Sequence, residues 1–316
     1  MQVIALKHIV FLFVGLLCLT PLISSPVALV LGIAAALLGW VPQHVNVGAL
    51  VKKLLAISIV GLGFGVNLQV AARTSGENIL LILFYVVATL LLALGLAKLL
   101  RMDKRSATLI GSGTAICGGS AIAAMAPTIQ ARAEQIVVAL GCVFILNAIA
   151  LLVFPPIGHW FGLSQYDFGV WAAIAIHDTS SVVGAAEVYG DEALIVATTV
   201  KLTRALAIVP MVLIAAVVYQ AVQRRRAIEV ATKLPSVPLF IVFYVLAILV
   251  AEFIPQGAAA YELAFDFAKR LLVVCLYLIG ASMSLTTIRQ AGFKPMGLAI
   301  LLWLFVSVSS LWWILA

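Results

Sequence analysis

The chain has 316 residues, of which 65% are hydrophobic and only 10% are charged. Soluble domains carry about 25% charged residues, so this composition excludes a soluble globular protein and indicates a multi-pass membrane protein. The formal net charge of +7 then reflects basic loops that orient the chain in the bilayer, and we expect no nucleic-acid partner.

Apolar runs of about 20 residues, the length that crosses a bilayer as a helix, recur along the whole chain. The first run follows Lys7 directly, and in a chain with so many such runs we interpret it as a transmembrane helix rather than a signal peptide. We predict an all-α fold, a single transmembrane domain over residues 1–316, and about eleven spans near 8–24, 26–41, 50–70, 78–100, 106–126, 135–155, 168–187, 193–220, 237–254, 268–287 and 293–315.

Basic residues concentrate in alternate loops between these spans. The opposite loops carry Arg73, Arg132, Lys269 and Arg270. Because basic loops stay in the cytoplasm, this distribution predicts a cytoplasmic N-terminus and a C-terminus outside. The residues on the basic side are Lys7, Lys52, Lys53, Arg101, Lys104, Arg105, Arg224, Arg225, Arg226, Lys233, Arg289 and Lys294.

The predicted span over 106–126 contains a glycine-rich interruption. Gly111, Gly113, Gly118 and Gly119 fall close together, and each weakens a helix by about 1 kcal/mol relative to Ala. Backbone groups freed at membrane depth need partners inside the protein, so such breaks occur where the chain lines a cavity. We therefore predict a broken helix near 106–126 that binds a small substrate.

The predicted span over 168–187 contains a second interruption, where His177 and Asp178 stand in the middle of an apolar run. It echoes the first at a constant offset of 65, which aligns Thr179, Gly184 and Ala186 with Thr114, Gly119 and Ala121. We therefore predict a second broken helix near 168–187.

A longer similarity relates residues 52–68 to residues 269–285 at a constant offset of 217. These segments belong to the third and tenth predicted spans, which run in opposite directions, as the inverted repeats of transporters do. In the same count the two broken helices run parallel, whereas inverted repeats place them antiparallel. The sequence leaves this conflict open.

Four ionisable residues fall at predicted membrane depth, namely His177, Asp178, Lys201 and Arg204. Such groups are costly there and are commonly functional. Lys201 and Arg204 are three residues apart and therefore project from one helix face. Either Asp178 pairs with one of these cations, or a free cation beside the half-helix N-termini receives an anion. His177 is either a proton-coupling group or a buried structural histidine.

Small polar residues surround both breaks. Their hydroxyl groups can hydrogen-bond an oxyanion or coordinate sodium, and they can also cap the half-helices. Cys117 is either part of the site or a small packing residue. Asn67 and Asn147 are expected to form helix–helix hydrogen bonds. The hydroxyl-bearing candidates are Ser112, Thr114, Ser120, Thr179, Ser180 and Ser181.

Residues 111–124 (Gly-Ser-Gly-Thr-Ala-Ile-Cys-Gly-Gly-Ser-Ala-Ile-Ala-Ala) and residues 177–185 resemble the YeiH-type sulfate exporter family of bacterial inner-membrane proteins. Residues 279–286 and 178–210 also resemble bile-acid:sodium symporters. The resemblance covers nearly the whole chain. It implies the bile-acid-symporter and cation/proton-antiporter architecture, with two inverted repeats, crossed broken helices in a mobile core domain, and a scaffold domain. It also implies location in the bacterial inner membrane.

These observations predict a secondary active transporter that exports a small anion, such as sulfate, sulfite or a sulfonate, by alternating access. The alternatives are a cation/proton antiporter that uses Asp178, a sodium-coupled organic anion symporter, and a non-transporting sensor or assembly scaffold. The predicted substrate-binding residues are Ser112, Thr114, Cys117, Gly118, Gly119, Ser120, His177, Asp178, Thr179, Ser180, Ser181, Lys201 and Arg204.

The chain lacks a phosphate-binding P-loop, so we expect transport to be driven by a gradient. It also lacks the hydrolase and metalloprotease motifs in a suitable context, so we expect no enzymatic activity. The four scattered cysteines show no metal-ligand spacing, and we expect no cofactor and no metal site. The bilayer and the small anion are the expected partners, while proton or sodium coupling and a homodimer remain open.

Overall fold

The computed structural model describes residues 2–42, 46–224, 239–282 and 292–316. All of the secondary structure in these residues is helical, and a short 3-10 turn, Pro255–Gly257, precedes α13. The helices are α1 (Gln2–Leu17), α2 (Ser25–Leu37), α3 (Val47–Gly63), α4 (Leu68–Leu99), α5 (Lys104–Ala115), α6 (Gly119–Thr128), α7 (Ala133–Trp160), α8 (Gln165–Ala175), α9 (Thr179–Tyr189), α10 (Asp191–Ala205), α11 (Ile208–Arg224), α12 (Leu239–Phe253), α13 (Ala258–Ser282) and α14 (Phe293–Leu315).

Several helices are long and apolar enough to cross a bilayer. Within the described residues there are four such spans, Leu68–Leu99, Glu134–Trp160, Asp191–Ala221 and Phe293–Leu315. The segment from α12 through α13 becomes a fifth if its two parts, bent by 98° at their break, form one span. The protein is therefore an all-helical membrane protein, while these helix lengths do not establish the predicted total of about eleven spans.

Some predicted spans differ from the helices in their ends. The span predicted near 268–287 belongs to α13, which already begins at Ala258. The prediction began too late because Glu262 and Asp266 lower the hydropathy of the first turns without interrupting the helix. The span predicted near 50–70 ends early, at Gly63, and α4 begins at Leu68. Asn67, expected to bond another helix, instead caps α4 by accepting hydrogen bonds from its first N–H groups.

The helices pack into two groups. The scaffold group consists of α1, α2, α3, α12 and α13, in which α13 lies against both α2 and α3. The core group consists of α4 through α11 and α14, and both interrupted segments lie inside it. Many large side chains on the outer faces, such as Leu80, Phe84 and Phe243, are exposed, as expected where the neighbour is lipid rather than water.

Glycines allow unusually close packing inside the scaffold group. A Cβ atom at Gly32 would overlap the carbonyl oxygen of Tyr277, and one at Gly280 would overlap that of Leu29. The backbones of α2 and α13 therefore touch directly, which is how membrane helices associate without a hydrophobic driving force. This close approach accounts for the tight packing of α2 against α13.

The two groups meet along an apolar surface. Val183 and Leu194 of the core group pack with Leu62 and Leu272 of the scaffold group. At the rim of this surface Lys269 forms an ion pair with Asp191, which joins α13 to the start of α10. Besides these aliphatic contacts and the ion pair, a hydrogen bond between the hydroxyl groups of Thr199 and Tyr244 joins the two groups.

Several sequence predictions concern residues outside the described part of the chain. They include the end of the motif over 279–286 and one end of the similarity between 52–68 and 269–285. The residues are Arg225, Arg226, Lys233, Met283, Ser284, Leu285, Thr286 and Arg289.

Candidate functional site

Each interrupted segment consists of two helices joined by a three-residue linker. Residues 116–118 join α5 to α6, and residues 176–178 join α8 to α9. The two linkers touch, since a Cβ atom added to Gly118 would lie 3.3 Å from both Cα and Cβ of Asp178. Gly118 also has a φ of 64°, a left-handed conformation that disfavours other residues. We call the two linkers and the helix ends beside them the junction.

Arg204 on α10 binds the C-terminal end of α5. Its Nε donates to the carbonyl oxygen of Ala115 at 2.6 Å, and its Nη2 donates to that of Thr114 at 2.8 Å. The two preceding carbonyls of this helix accept from the N–H groups of Ile116 and Gly118. All four final carbonyl groups of α5, which a helix cannot satisfy internally, therefore have partners.

The same guanidinium and Lys201 bind the end of α8. Arg204 Nη1 donates to the carbonyl oxygens of Ala173 and Ile174. Lys201 Nζ donates to that of Ile176 at 2.7 Å and to that of Ala173 at 3.3 Å. Two buried cations thus hold the ends of both half-helices from one face of α10.

In this arrangement Asp178 forms no ion pair with Lys201 or Arg204, which was one of the two alternatives that the sequence left open. The ion pairs in the described residues are Arg73 with Glu77 and Lys269 with Asp191, and both lie away from the junction. A helix C-terminus carries about half a negative charge, so two adjacent termini neutralise much of the charge that burial of Lys201 and Arg204 introduces. Lys201 and Arg204 therefore bind the C-terminal ends of the two half-helices.

Asp178 caps the second half-helix of its segment. Its Oδ2 accepts a hydrogen bond from the backbone N–H of Ser180 at 3.1 Å and another from the Ser180 hydroxyl. The carboxylate therefore neutralises the positive N-terminal end of α9. Asp178 is half-buried, whereas Thr179, Ser180 and Ser181 are buried.

The corresponding end of α6 has no such cap. Its N-cap is Gly118, which brings no side chain, and the N–H of Ala121 points toward the buried sulfur of Cys117. Gly119 is half-exposed and Ser120 is fully exposed. The first two residues of α6 are therefore accessible at its N-terminal end, next to the linker that carries Asp178.

One face of α7 passes beside both linkers. Val143 lies 3.3 Å from the Cβ position of Gly118, which places it against the first linker. One turn later Asn147 Oδ1 accepts hydrogen bonds from the backbone N–H groups of His177 and Asp178, at 3.1 and 3.2 Å. Asn147 therefore satisfies two donors that the interrupted helix leaves open, and its bond to another segment agrees with the sequence expectation.

Several buried polar atoms near the junction have no hydrogen-bond partner among the described residues. The Thr114 hydroxyl, the Asn147 amide nitrogen and both ring nitrogens of His177 are of this kind, and so is the Thr198 hydroxyl on α10. An unsatisfied buried polar group costs about 1–3 kcal/mol. Five of the eight unsatisfied buried side-chain atoms in the described residues therefore belong to the junction or to α10 beside it.

The chain matches a family described as "Conserved hypothetical protein 698" over residues 3–299. It is 50% identical to a UPF0324 membrane protein of Shewanella oneidensis over 308 residues, which cover 98% of this chain and 95% of that protein. The chain belongs to the UPF0324 membrane protein family.

Other UPF0324 relatives match along a similar length. A protein of Photobacterium profundum is 52% identical over 305 residues, covering 96% of this chain and 91% of the relative. One of Bacteroides thetaiotaomicron is 43% identical over 300 residues, covering 94% and 88%. No solved structure shows a significant match. The whole fold, both interrupted segments included, therefore falls within the UPF0324 similarity.

Most residues that the sequence predicted as substrate-binding in this UPF0324 protein lie at the junction, but their surroundings differ. Ser112 is fully buried and its hydroxyl donates to the Leu109 carbonyl of its own helix, so it is committed to α5. Gly119, Ser120 and Asp178 are accessible. The buried members are Thr114, Cys117, Gly118, His177, Thr179, Ser180, Ser181, Lys201 and Arg204.

Two residues near the junction were not predicted to take part in the site. Asn147 was predicted only to bond another helix. Its position as a lone amide in an apolar run was the sequence signal that could have indicated a place in the site. Thr198 lies one turn before Lys201 on the same face of α10. The spacing of three residues from Lys201 was the sequence signal that Thr198 lies near the junction.

Proposed function

We propose that this protein is a secondary transporter of a small anion and that the anion binds at the junction. The observation that carries the proposal is the uncapped, accessible N-terminus of α6 at Gly119 and Ser120. Free N–H groups and the positive end of the helix dipole form an anion site. Discontinuous helices with such ends build the substrate sites of many secondary transporters.

The charge of the junction also supports an anion. Lys201 and Arg204 are fully buried within it, and Asp178 is the carboxylate present in the two linkers. The cations donate hydrogen bonds to the C-terminal ends of the half-helices, and the electric field of their charge favours an anion bound nearby. In a low-dielectric interior this field falls off slowly.

The division of the helices into two groups supports an alternating-access mechanism. We propose that the core group, which carries the junction, moves against the scaffold group across the aliphatic surface around Val183 and Leu272. The proposal includes about eleven spans in two inverted repeats, with the N-terminus in the cytoplasm and the C-terminus outside a bacterial inner membrane. The resemblance to sulfate exporters makes sulfate, sulfite and sulfonates the first substrates to test.

Thermal stabilisation of the purified protein tests the proposal, because a ligand that binds the folded state raises its apparent stability. We expect sulfite, sulfate or a sulfonate to raise the unfolding temperature. Ser120→Asp places a carboxylate at the open end of α6 and should abolish the shift. Ser112→Ala is the matched control, because that hydroxyl is bound within α5, and it should preserve the shift. If no anion stabilises the wild-type protein, the proposal is wrong.

A second candidate function is cation/proton antiport, with sodium-coupled organic anion symport as its close variant. It is favoured by the half-exposed carboxylate of Asp178, which lies between the N-terminal ends of α6 and α9. Stabilisation by sodium without any anion, lost in Asp178→Asn, would support it. Stabilisation by anions that persists in Asp178→Asn would favour the first proposal.

A further inference from the structure

The charges of the junction do not balance when both cations are protonated. The C-terminal ends of α5 and α8 and the N-terminal ends of α6 and α9 each carry about half a charge, negative and positive respectively, so the four ends cancel. Among the side chains, Lys201 and Arg204 face the single carboxylate of Asp178. One positive charge therefore remains in the membrane interior, where an uncompensated charge is costly.

Arg204 cannot remove this excess. A guanidinium stays protonated in proteins, and Arg204 donates four hydrogen bonds to carbonyl oxygens of α5 and α8. It is a fixed charge that joins the two half-helices. Any change in the charge of the two cations must therefore occur at Lys201.

The surroundings of Lys201 suit two protonation states. Within the described residues its Nζ has two acceptors, the carbonyl oxygens of Ala173 and Ile176. A neutral amine has two N–H donors and is satisfied by this pair, whereas an ammonium group has a third donor. The third N–H needs a further acceptor, and a negatively charged acceptor would also neutralise the excess charge.

We propose that Lys201 takes up one proton when the transported anion enters the junction and releases it when the anion leaves. This inference rests on the proposed function and names its coupling ion. The proton comes from water on the side of entry, forms the third N–H bond on Nζ, and returns to water on the side of exit. Each anion is therefore carried together with about one proton.

The charged and titratable groups around Lys201 come from three elements. Arg204, on the same helix face, repels the ammonium form, and Asp178 from the α8–α9 linker attracts it. Cys117 from the α5–α6 linker acts on both cations, and His177 lies within electrostatic range of them. Of these groups, Lys201 is the cation whose charge can change without breaking the bonds that join α5 to α8.

Proton uptake on anion binding tests the proposal directly. The full-length protein in weakly buffered detergent solution is mixed with radiolabelled methanesulfonate or sulfate, which are fully ionised near neutral pH and bring no proton. A pH-indicator dye reports proton uptake and equilibrium dialysis reports bound anion. We expect about one proton per bound anion for the wild-type protein.

Two lysine-to-arginine variants distinguish proton uptake by Lys201 from effects that any Lys→Arg substitution would have. Lys201→Arg keeps a positive charge that it cannot release, so we expect anion binding without proton uptake. Lys269→Arg is the matched control, because Lys269 pairs with Asp191 at the rim of the two groups, and it should take up a proton as the wild type does. Continued proton uptake by Lys201→Arg would overturn the proposal.

A second measurement needs no variant. If anion binding requires a proton, the apparent Kd of the wild-type protein should rise about tenfold for each unit of pH above neutral. A Kd that does not change with pH, or binding without proton uptake, would overturn the coupling while leaving the anion site in place. Failure of both anions to bind would overturn the proposed function itself.

Discussion

The two interrupted segments begin from similar sequences but form unlike halves of the junction. In the second, Asp178 caps α9 and Asn147 binds the N–H groups of the linker, so its polar backbone is satisfied by the protein itself. In the first, Gly118 leaves the end of α6 uncapped and Ser120 exposed. The comparison shows that side chains bind the N–H groups of the second linker and of α9, whereas the N-cap of α6 has no side chain.

The opposite ends of the same segments are alike. The C-termini of α5 and α8 both receive hydrogen bonds from Arg204, so one side chain joins the segments whatever happens at their N-termini. In the proposed transporter, this contact would hold the two segments together while the site opens. Four variants sharpen this comparison, from the largest expected effect to the smallest.

Arg204→Met should be the most damaging change. It removes four charge-assisted hydrogen bonds and leaves buried carbonyl groups of both segments without partners. Each buried polar group left without a partner costs about 1–3 kcal/mol, and the carbonyl groups of Thr114, Ala115 and Ile174 all lose their donor. Unfolding in mixed detergent micelles measures the loss, and Lys269→Met, at the partly exposed ion pair, is the control. Equal stability of Arg204→Met and wild type would contradict the joining role.

Asn147→Leu should affect the second segment alone. It removes the acceptor for two backbone N–H groups, and each unsatisfied buried group costs about 1–3 kcal/mol. Asn147→Asp keeps an acceptor in the same place and should retain more stability. Hydrogen exchange should show faster exchange at residues 177 and 178 in Asn147→Leu. Unchanged exchange there would show that the linker does not depend on α7.

Gly118→Ala should affect the first segment. The residue has a φ of 64° and its Cβ position is 3.3 Å from Asp178, so a side chain brings both backbone strain and crowding. A left-handed conformation costs a residue with a Cβ about 1–2 kcal/mol. Gly119→Ala is the control, because its Cβ would meet nothing nearer than Leu140 Cδ2 at 3.5 Å. Thermal unfolding should rank Gly118→Ala below Gly119→Ala.

Asp178→Ala should cost about 1 kcal/mol of stability, the usual value of an N-cap. Asp178→Asn keeps a good capping residue and should be nearly as stable as the wild type. The pair therefore separates capping from charge at the second segment. If Asp178→Asn is as unstable as Asp178→Ala, the negative charge rather than the hydrogen bond to Ser180 stabilises α9.

The sequence located the important region because the signals were local. Glycines at 118 and 119 and the polar pair His177–Asp178 interrupt apolar runs, and the structure has linkers at 116–118 and 176–178. The spacing of Lys201 and Arg204 correctly predicted one shared helix face. Their partners were not predictable, since Arg204 binds Ala115 across 89 residues of chain, and a carbonyl group has no sequence signature.

By itself the sequence determined that this is a membrane protein built of apolar helices, because hydrophobicity and composition are properties of each segment alone. It also determined where the core helices are interrupted, because glycine and polar residues weaken helices locally. Only the tertiary structure decided that the cations bind helix C-termini instead of Asp178, and that α6 rather than α9 has the open N-terminus. Those outcomes depend on which distant segments pack together, since a buried polar group takes the partner that the fold brings within hydrogen-bond distance.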